Sequence, residues 1–371
     1  MKLCVIAYPN SYHTYRWLRY FVNRGHEVHL IADRHPQREF VNIPNLTVHN
    51  LAAITNIPKA RYVIWSLAVC RLVRRLQPDI LHAHQVALAG WLGWVANYHP
   101  FVVMPWGSDL YQYPQRSRIA RFLATRVLRA ADLVMADSQN LVNLAVKFGA
   151  DPARSHVVQF GVDLQTFFPL DNATELRKRF GINCGPVIFS PRALMPFYRH
   201  DVLIKAIPIV RHRFPEAQFV FRTYIVDPPD YVDQLKTLAQ NLGVADAVHF
   251  VGRISRYEDI VNLHRLADVT VSIPISDGTP MSVLEAFACA VPVITDKNLP
   301  SLREWITDGD NGLLVDGNSP EAVAQAIIRL LTDDRLYNQI RQRGLQVVRE
   351  RADHTVWMRQ IESMYLELIQ R

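Results

Sequence analysis

Short runs rich in β-branched and aromatic residues alternate along nearly the whole chain with longer stretches of helical period, and that alternation leaves few folds open. Strands that follow one another through helices must lie parallel, with helices on both sheet faces, so each strand has to be apolar on both sides. The runs at 2–7, 28–32, 80–83, 101–104 and 133–136 read as strands, with helical patterns at 12–23, 59–76, 86–96 and 117–129. A second series at 187–190, 219–222, 248–251, 269–273 and 291–295 reads the same way. At 371 residues, 49% of them hydrophobic, the chain is too long for one ordinary core. Two doubly wound α/β domains are expected.

Turn formers Gly161, Pro169, Asn172 and Gly185 interrupt the pattern, which sets expected domains at 1–165 and 186–352. Beyond Asp333 only helical periodicity remains. The last helix, about 353–371, carries Val356, Trp357, Ile361, Met364, Tyr365 and Leu368 at helical spacing and must pack on something. Neither a repeat nor a heptad supports a solenoid or filament.

Cys4, Cys70, Cys184 and Cys289 show neither CxxC nor Cys/His spacing, which fits neither a zinc module nor a disulfide framework and favours a reducing compartment. No apolar run approaches the roughly 20 residues of a membrane helix, and the apolar start at 3–7 is short for a signal-peptide core, so a cytoplasmic protein is expected. The net charge of +7 is lopsided: residues 1–165 hold 18 Lys and Arg against 9 Asp and Glu, the remainder 23 against 25. An acidic partner of the first half explains this, whether membrane surface, phosphorylated substrate or nucleic acid; a solvated basic face explains it equally well.

The densest chemical signal is Ser276-Asp277-Gly278-Thr279-Pro280-Met281-Ser282-Val283-Leu284-Glu285, which leaves an apolar strand and enters a helix. Ligands of open parallel sheets bind beyond the carboxyl ends of the strands, and a helix start offers N–H groups to an anion. The amides of Met281, Ser282 and Val283 are therefore candidates to hold a diphosphate. Glu285, one turn further on, is placed to accept hydrogen bonds from a ribose, and Asp277 from a donor sugar. Taken alone, the pattern is more simply that of an acid favouring a helix dipole.

The wider run, Asp277 through Leu284-Glu285-Ala286 to Val291-Pro292-Val293-Ile294, then Arg303-Glu304-Trp305 and Asn311-Gly312-Leu313, resembles the retaining family 4 glycosyltransferases of the GT-B fold. It is similar to their E-x7-E signature with Asp in first place. His82-Ala83-His84, Trp106-Gly107-Ser108-Asp109, Ala136-Asp137-Ser138 and Gly161-Val162-Asp163 extend the likeness over nearly the whole chain. The resemblance implies two Rossmann-like domains facing a central cleft, the last helix returning to the first domain. It implies transfer of a sugar from a UDP- or GDP-sugar to a glycan, lipid-linked or small-molecule acceptor, without metal, other cofactor or nucleic acid. Glu285 then binds the nucleotide ribose, with Gly278, Thr279 and the helix-start residues beside it. Asp277 binds the transferred sugar, and Arg192 with Arg199 the diphosphate, although the spacing of these two arginines is one residue longer than the family pattern.

Departures are as informative. The first loop reads Pro9-Asn10-Ser11-Tyr12-His13-Thr14 where the family often has glycine, giving His13 as a contact for phosphate or acceptor. Trp106 stands where a histidine commonly precedes Gly-Ser-Asp, and either stacks on a sugar or belongs to the core. His84, at a strand end, is a candidate cleft contact. Asp308-Gly309-Asp310 mimics a metal-binding D-x-D but lies in a turn, so no metal is inferred. Two basic stretches of the first half, Lys59, Arg61, Arg71, Arg74, Arg75 and Arg116, Arg118, Arg121, Arg126, Arg129, suggest docking of a peripheral protein on the anionic inner face of a membrane. Rival readings are a nucleotide-sugar epimerase of the same architecture and a non-catalytic sugar-binding protein.

Overall fold

The computed structural model describes residues 1–55, 57, 60–170, 173–182, 184–223, 227–251 and 257–370; Lys59 and Asn172, named above, lie outside them. The chain divides into two compact units: Met1–Phe160 with the residues from Val356 onward, and Gly161–Thr355.

The first unit runs β1 (Lys2–Ala7), α1 (Tyr12–Asn23), β2 (Glu27–Ala32), α2 (Arg38–Val41), β3 (Leu46–Asn50), α3 (Ala60–Leu76), β4 (Ile80–His84), α4 (Leu88–Ala96), β5 (Phe101–Met104), α5 (Ser108–Tyr111), α6 (Arg118–Ala130), β6 (Leu133–Ala136), α7 (Gln139–Lys147) and β7 (Ser155–Val157). Its parallel strands take the order β3-β2-β1-β4-β5-β6-β7. Cys4 and Ile6 of β1 share one core with α3, α4, α6 and α7, while Leu3 and Val5, also fully buried, face the other way. This double burial is why central strands read as unbroken apolar runs. Ser11, Ser117 and Ser138 start α1, α6 and α7 by accepting amide hydrogen bonds, satisfying donors a helix start leaves open.

The second unit runs α8 (Ala173–Phe180), β8 (Val187–Ser190), α9 (His200–Arg213), β9 (Gln218–Arg222), α10 (Pro229–Asn241), β10 (Val248–Val251), α11 (Tyr257–Leu266), β11 (Val269–Ser272), α12 (Met281–Ala288), β12 (Val293–Asp296), α13 (Pro300–Arg303), β13 (Leu313–Val315), α14 (Pro320–Thr332) and α15 (Asp334–Arg351). Its sheet has the order β10-β9-β8-β11-β12-β13. The expected limit between domains needs correction, because the turn-rich segment from Gly161 onward belongs to the second unit. There Arg265 donates to the Thr166 and Phe168 carbonyls, Val162 exchanges backbone hydrogen bonds with Ala352 and His354, and Phe167 packs against His264.

The last helix, α16 (His354–Gln370), lies from Val356 on in the first unit. Tyr365 is fully buried, stacks on Phe21 at 5.5 Å and shares a hydrogen bond with His82 Nδ1 at 2.7 Å. Glu362 accepts from Tyr20, Arg24 and His26, so the helix is fixed by specific polar contacts as well as by apolar packing.

Strand order reverses between β1 and β4 in the first sheet and between β8 and β11 in the second. The loops leaving those strands part at such a point and open a crevice, which is where ligands of this fold class bind.

Candidate functional site

In the second unit the loops after β8 and β11 bring Arg192 and Asp277 together. Arg192 Nη1 lies 3.0 Å from Asp277 Oδ2, and its Nη2 donates to Asp277 Oδ1 at 3.2 Å. Nη2 also donates to the Tyr198 hydroxyl at 2.7 Å, Nη1 to Ser282 Oγ at 3.3 Å, and the guanidinium lies 4.3 Å from the Tyr198 ring centre. Burial pushes the Asp277 carboxyl above its ordinary range, opposed by the Arg192 charge and hydrogen bond. The loops are themselves tied together: Ile275 N–H donates to the Phe197 carbonyl, and Ser301 Oγ to that of Asp277. His200 completes the frame, its Nε2 2.8 Å from the Ala193 carbonyl and its Nδ1 3.1 Å from Ser190 Oγ. Burial lowers its pKa to about 4, so a neutral imidazole braces the residue after Arg192.

The helix after Asp277, α12, starts at Pro280 without a side-chain cap. Gly278 and Thr279 are buried in the turn before it. The Val283 N–H donates to the Pro280 carbonyl at 2.8 Å, so among the three amides proposed for a diphosphate Val283 is committed within the helix turn. Met281 and Ser282 keep the arrangement a helix start offers an anion. Glu285 is one turn in, its Oε2 3.5 Å from Nε2 of His264, a fully buried ring edge-on to Phe167 and Phe189.

Arg199 has its own set of partners in the second unit. It adopts φ +54°, and its Nη1 lies 2.6 Å from Asp296 Oδ2 and within 3.5 Å of the Ile273 and Pro274 carbonyls. Asp296, 1% exposed, also accepts from the Asn298 and Gly317 amides. A Cβ on Gly317 would sit 2.3 Å from Asp296 Oδ2, so only glycine permits this approach. Arg199 thus pairs with a buried carboxylate and ties together the ends of three strands.

In the first unit His84, at the end of β4, is fully buried among Trp17 at 5.2 Å, Trp106 at 5.4 Å and His82 at 4.5 Å. Burial, followed by the neighbouring His13, lowers its pKa to about 3, so the imidazole is neutral. Neither its ring nitrogens nor Trp106 Nε1 find a hydrogen-bond partner among the described residues, although buried polar atoms nearly always have one. His13 packs 4.7 Å from Phe160 and 5.9 Å from Trp106. Asp109 fixes the surrounding loops by accepting from the amides of Val86 and Trp106 at 2.7 and 2.9 Å, with Gly107 at φ +111° allowing the turn. The structure therefore brings His13, His84 and Trp106 into one aromatic nest. Among the described residues no group of three His, Cys, Asp or Glu side chains is arranged for a metal ion, and no helix is long and apolar enough to cross a membrane.

Tyr198, His200, His264 and Asp296 were not singled out in the sequence. A cue existed for one of them: Asp296 closes the apolar run Val293–Asp296, and an acid at a strand's carboxyl end faces the binding edge of the sheet.

Comparison with known proteins bears on both units. Residues 172–347 match the family described as glycosyl transferases group 1, and residues 2–138 that described as glycosyl transferase 4-like. The D-inositol 3-phosphate glycosyltransferase of Acidothermus cellulolyticus is 29% identical over 91% of this chain and 81% of its own. The GDP-mannose-dependent alpha-(1-6)-phosphatidylinositol monomannoside mannosyltransferase of Mycolicibacterium smegmatis is 32% identical over 58% of this chain and 57% of its own. Anabaena HepE, solved in complex with UDP-glucose, superposes with a TM-score of 0.84 at 20% identity, covering 99% of this chain and 100% of that one, a likeness of fold.

Proposed function

Because the chain belongs to the group 1 glycosyl transferases and is therefore a nucleotide-sugar-dependent transferase, we propose that it retains the anomeric configuration of a UDP- or GDP-bound sugar. The observation that carries this reading is Arg192, held against Asp277 beside the start of α12, with Glu285 one turn away. Departure of a nucleoside diphosphate builds negative charge on phosphate oxygens. A fixed guanidinium and the Met281 and Ser282 amides offer stabilisation there without a metal. Glu285 takes the ribose hydroxyls and Asp277 the sugar. The acceptor attacks the face from which the phosphate departs and gives its proton to that phosphate, so positioning replaces a side-chain base.

The second unit holds the donor and the first selects the acceptor, with His84, His13 and Trp106 as its contacts. Two features support a lipid-linked or membrane-proximal acceptor at the cytoplasmic face of a membrane. The first half carries the basic excess, and the M. smegmatis relative is named for a phosphatidylinositol monomannoside. Incubation with UDP- and GDP-sugars and a lipid extract tests the whole reading: acceptor-dependent release of UDP or GDP, with an axial donor giving an axial product by NMR, is expected. Donor consumption that yields only an isomerised sugar nucleotide, or an inverted product, would overturn it.

A further inference from the structure

A cavity of about 750 Å³ in the first unit opens between α5, α6 and α7 and lies outside the nest around His84. Its floor is apolar, made by Leu110, Pro114, Leu144 and Phe148, and its rim carries Arg118, Arg121 and Lys147. No carboxylate lines it, and none stands within ion-pair distance of those three cations among the described residues. Surface cations in folded proteins are ordinarily interspersed with acids, so three facing one concavity create a field that selects an anion. Asn143 adds an amide donor, and Arg121 is steadied 5.7 Å over the Phe148 ring.

The ground beside the rim is apolar in an unusual way. Ile119 and Phe122, next to Arg118 and Arg121 on α6, are 70% and 52% exposed, and Arg126 lies 5.0 Å over the Phe122 ring. On α3, Tyr62, Val63 and Leu67 are exposed too. Large apolar side chains standing in water next to unpaired arginines are disfavoured on a purely solvated surface and match the boundary of headgroups and acyl chains.

We propose that the cavity between α5, α6 and α7 is a headgroup site for an anionic membrane phospholipid. Arg118, Arg121 and Lys147 take the phosphate, the apolar floor takes the glycerol end, and Ile119 and Phe122 enter the acyl boundary. The proposal rests on the membrane-surface reading above and adds to it one site, distinct from the charge of the unit as a whole. An anionic headgroup meets cations and a hydrophobic floor together there, and Arg71, Arg74 and Arg75 at the basic end of α3 are not among its lining residues.

The test is cosedimentation of the full chain with vesicles of phosphatidylcholine containing about a third phosphatidylglycerol, at low and high salt. The wild type is expected to bind, and Arg118→Ala/Arg121→Ala/Lys147→Ala to bind about a hundred-fold more weakly. Arg71→Ala/Arg74→Ala/Arg75→Ala, equal in charge, is expected to lose less than a tenth as much. Ile119→Ser/Phe122→Ser should remove the part of binding that survives high salt. Unchanged donor-induced thermal shifts report that each variant is folded. Equal loss in the two arginine-rich variants, or none in the cavity variant while the wild type binds, overturns the site but leaves the membrane reading standing. A wild type that ignores these vesicles at low salt overturns both.

Discussion

Arg192 and Asp277 stand 3.0 Å apart where the strand order of the second sheet reverses, each side chain about one-seventh exposed. The carboxylate is too buried to be comfortable alone, and in the proposed reaction the guanidinium paired with it stabilises the departing phosphate. Two further holds, the Tyr198 hydroxyl and Ser282 Oγ, fix the plane of the fork. A cation so fixed matters most when charge develops. Arg192→Ala is therefore expected to lower kcat by about 10²–10³ with a smaller loss in donor affinity. Steady-state kinetics with calorimetric donor titration check this; equal losses in both would remove the transition-state role.

In the proposed reaction Glu285 makes a different contribution, because a hydrogen-bond acceptor for the ribose would be used equally before and during the transfer. Glu285→Ala should weaken nucleotide-sugar binding by roughly ten-fold or more, the cost of losing a hydrogen-bond partner for a buried group. Folding should be little affected, since α12 already closes its first turn through the Pro280 carbonyl. A melting temperature close to wild type together with lost donor-induced stabilisation is the expected pair of results. Unchanged nucleotide affinity would take Glu285 out of the site.

The strands legible in the sequence were mostly the ones buried on both faces, β10 at a sheet edge being an exception. β3, β7 and β13 escaped notice, and each is the edge of its sheet. β3 and β7 carry Thr47, His49, Ser155 and His156 and are no more than half-buried, so no apolar run marks them, while the apolar run of β13 is only three residues long. The site divides in the same way. Asp277, Glu285 and Arg192 were legible because their chemistry sits in compact local patterns. The Arg199–Asp296 pair joins residues 97 apart, and His264 reaches Glu285 from another helix. Nothing in a linear pattern records such pairings, and the extra residue between Arg192 and Arg199 was the nearest hint.

Acid should destabilise the first unit through His84. Its pKa falls from 6.5 to about 3 on folding, so between those values the unfolded chain binds a proton that the folded chain refuses. The stability contribution is intact above 6.5 and is lost as pH falls toward 3. His82, also fully buried and depressed, acts in the same direction. Urea unfolding at pH 7.5 and 5.5 should show lower stability at the acid pH, and His84→Gln should shrink the difference. An unaltered difference would place the sensitivity elsewhere.

Arg199 and Arg192 are both near the carboxyl ends of the strands, each paired with a carboxylate, and the proposed reaction asks different tasks of them. Arg199 spends its charge on Asp296, which is 1% exposed and held by two backbone amides, with Gly317 leaving no room for rearrangement. Removing one member of a buried pair strands the other charge and costs about 3 kcal/mol or more. Arg199→Ala should therefore lower the melting temperature by roughly 6–12 °C, while kcat per folded molecule stays within a few-fold of wild type. Arg199→Lys should fall between, because an ammonium keeps the charge and cannot also reach the Ile273 and Pro274 carbonyls with the same fork. Thermal melts and turnover measured on the same preparations separate the two tasks. A normal melt with turnover reduced as deeply as in Arg192→Ala would return Arg199 to the diphosphate.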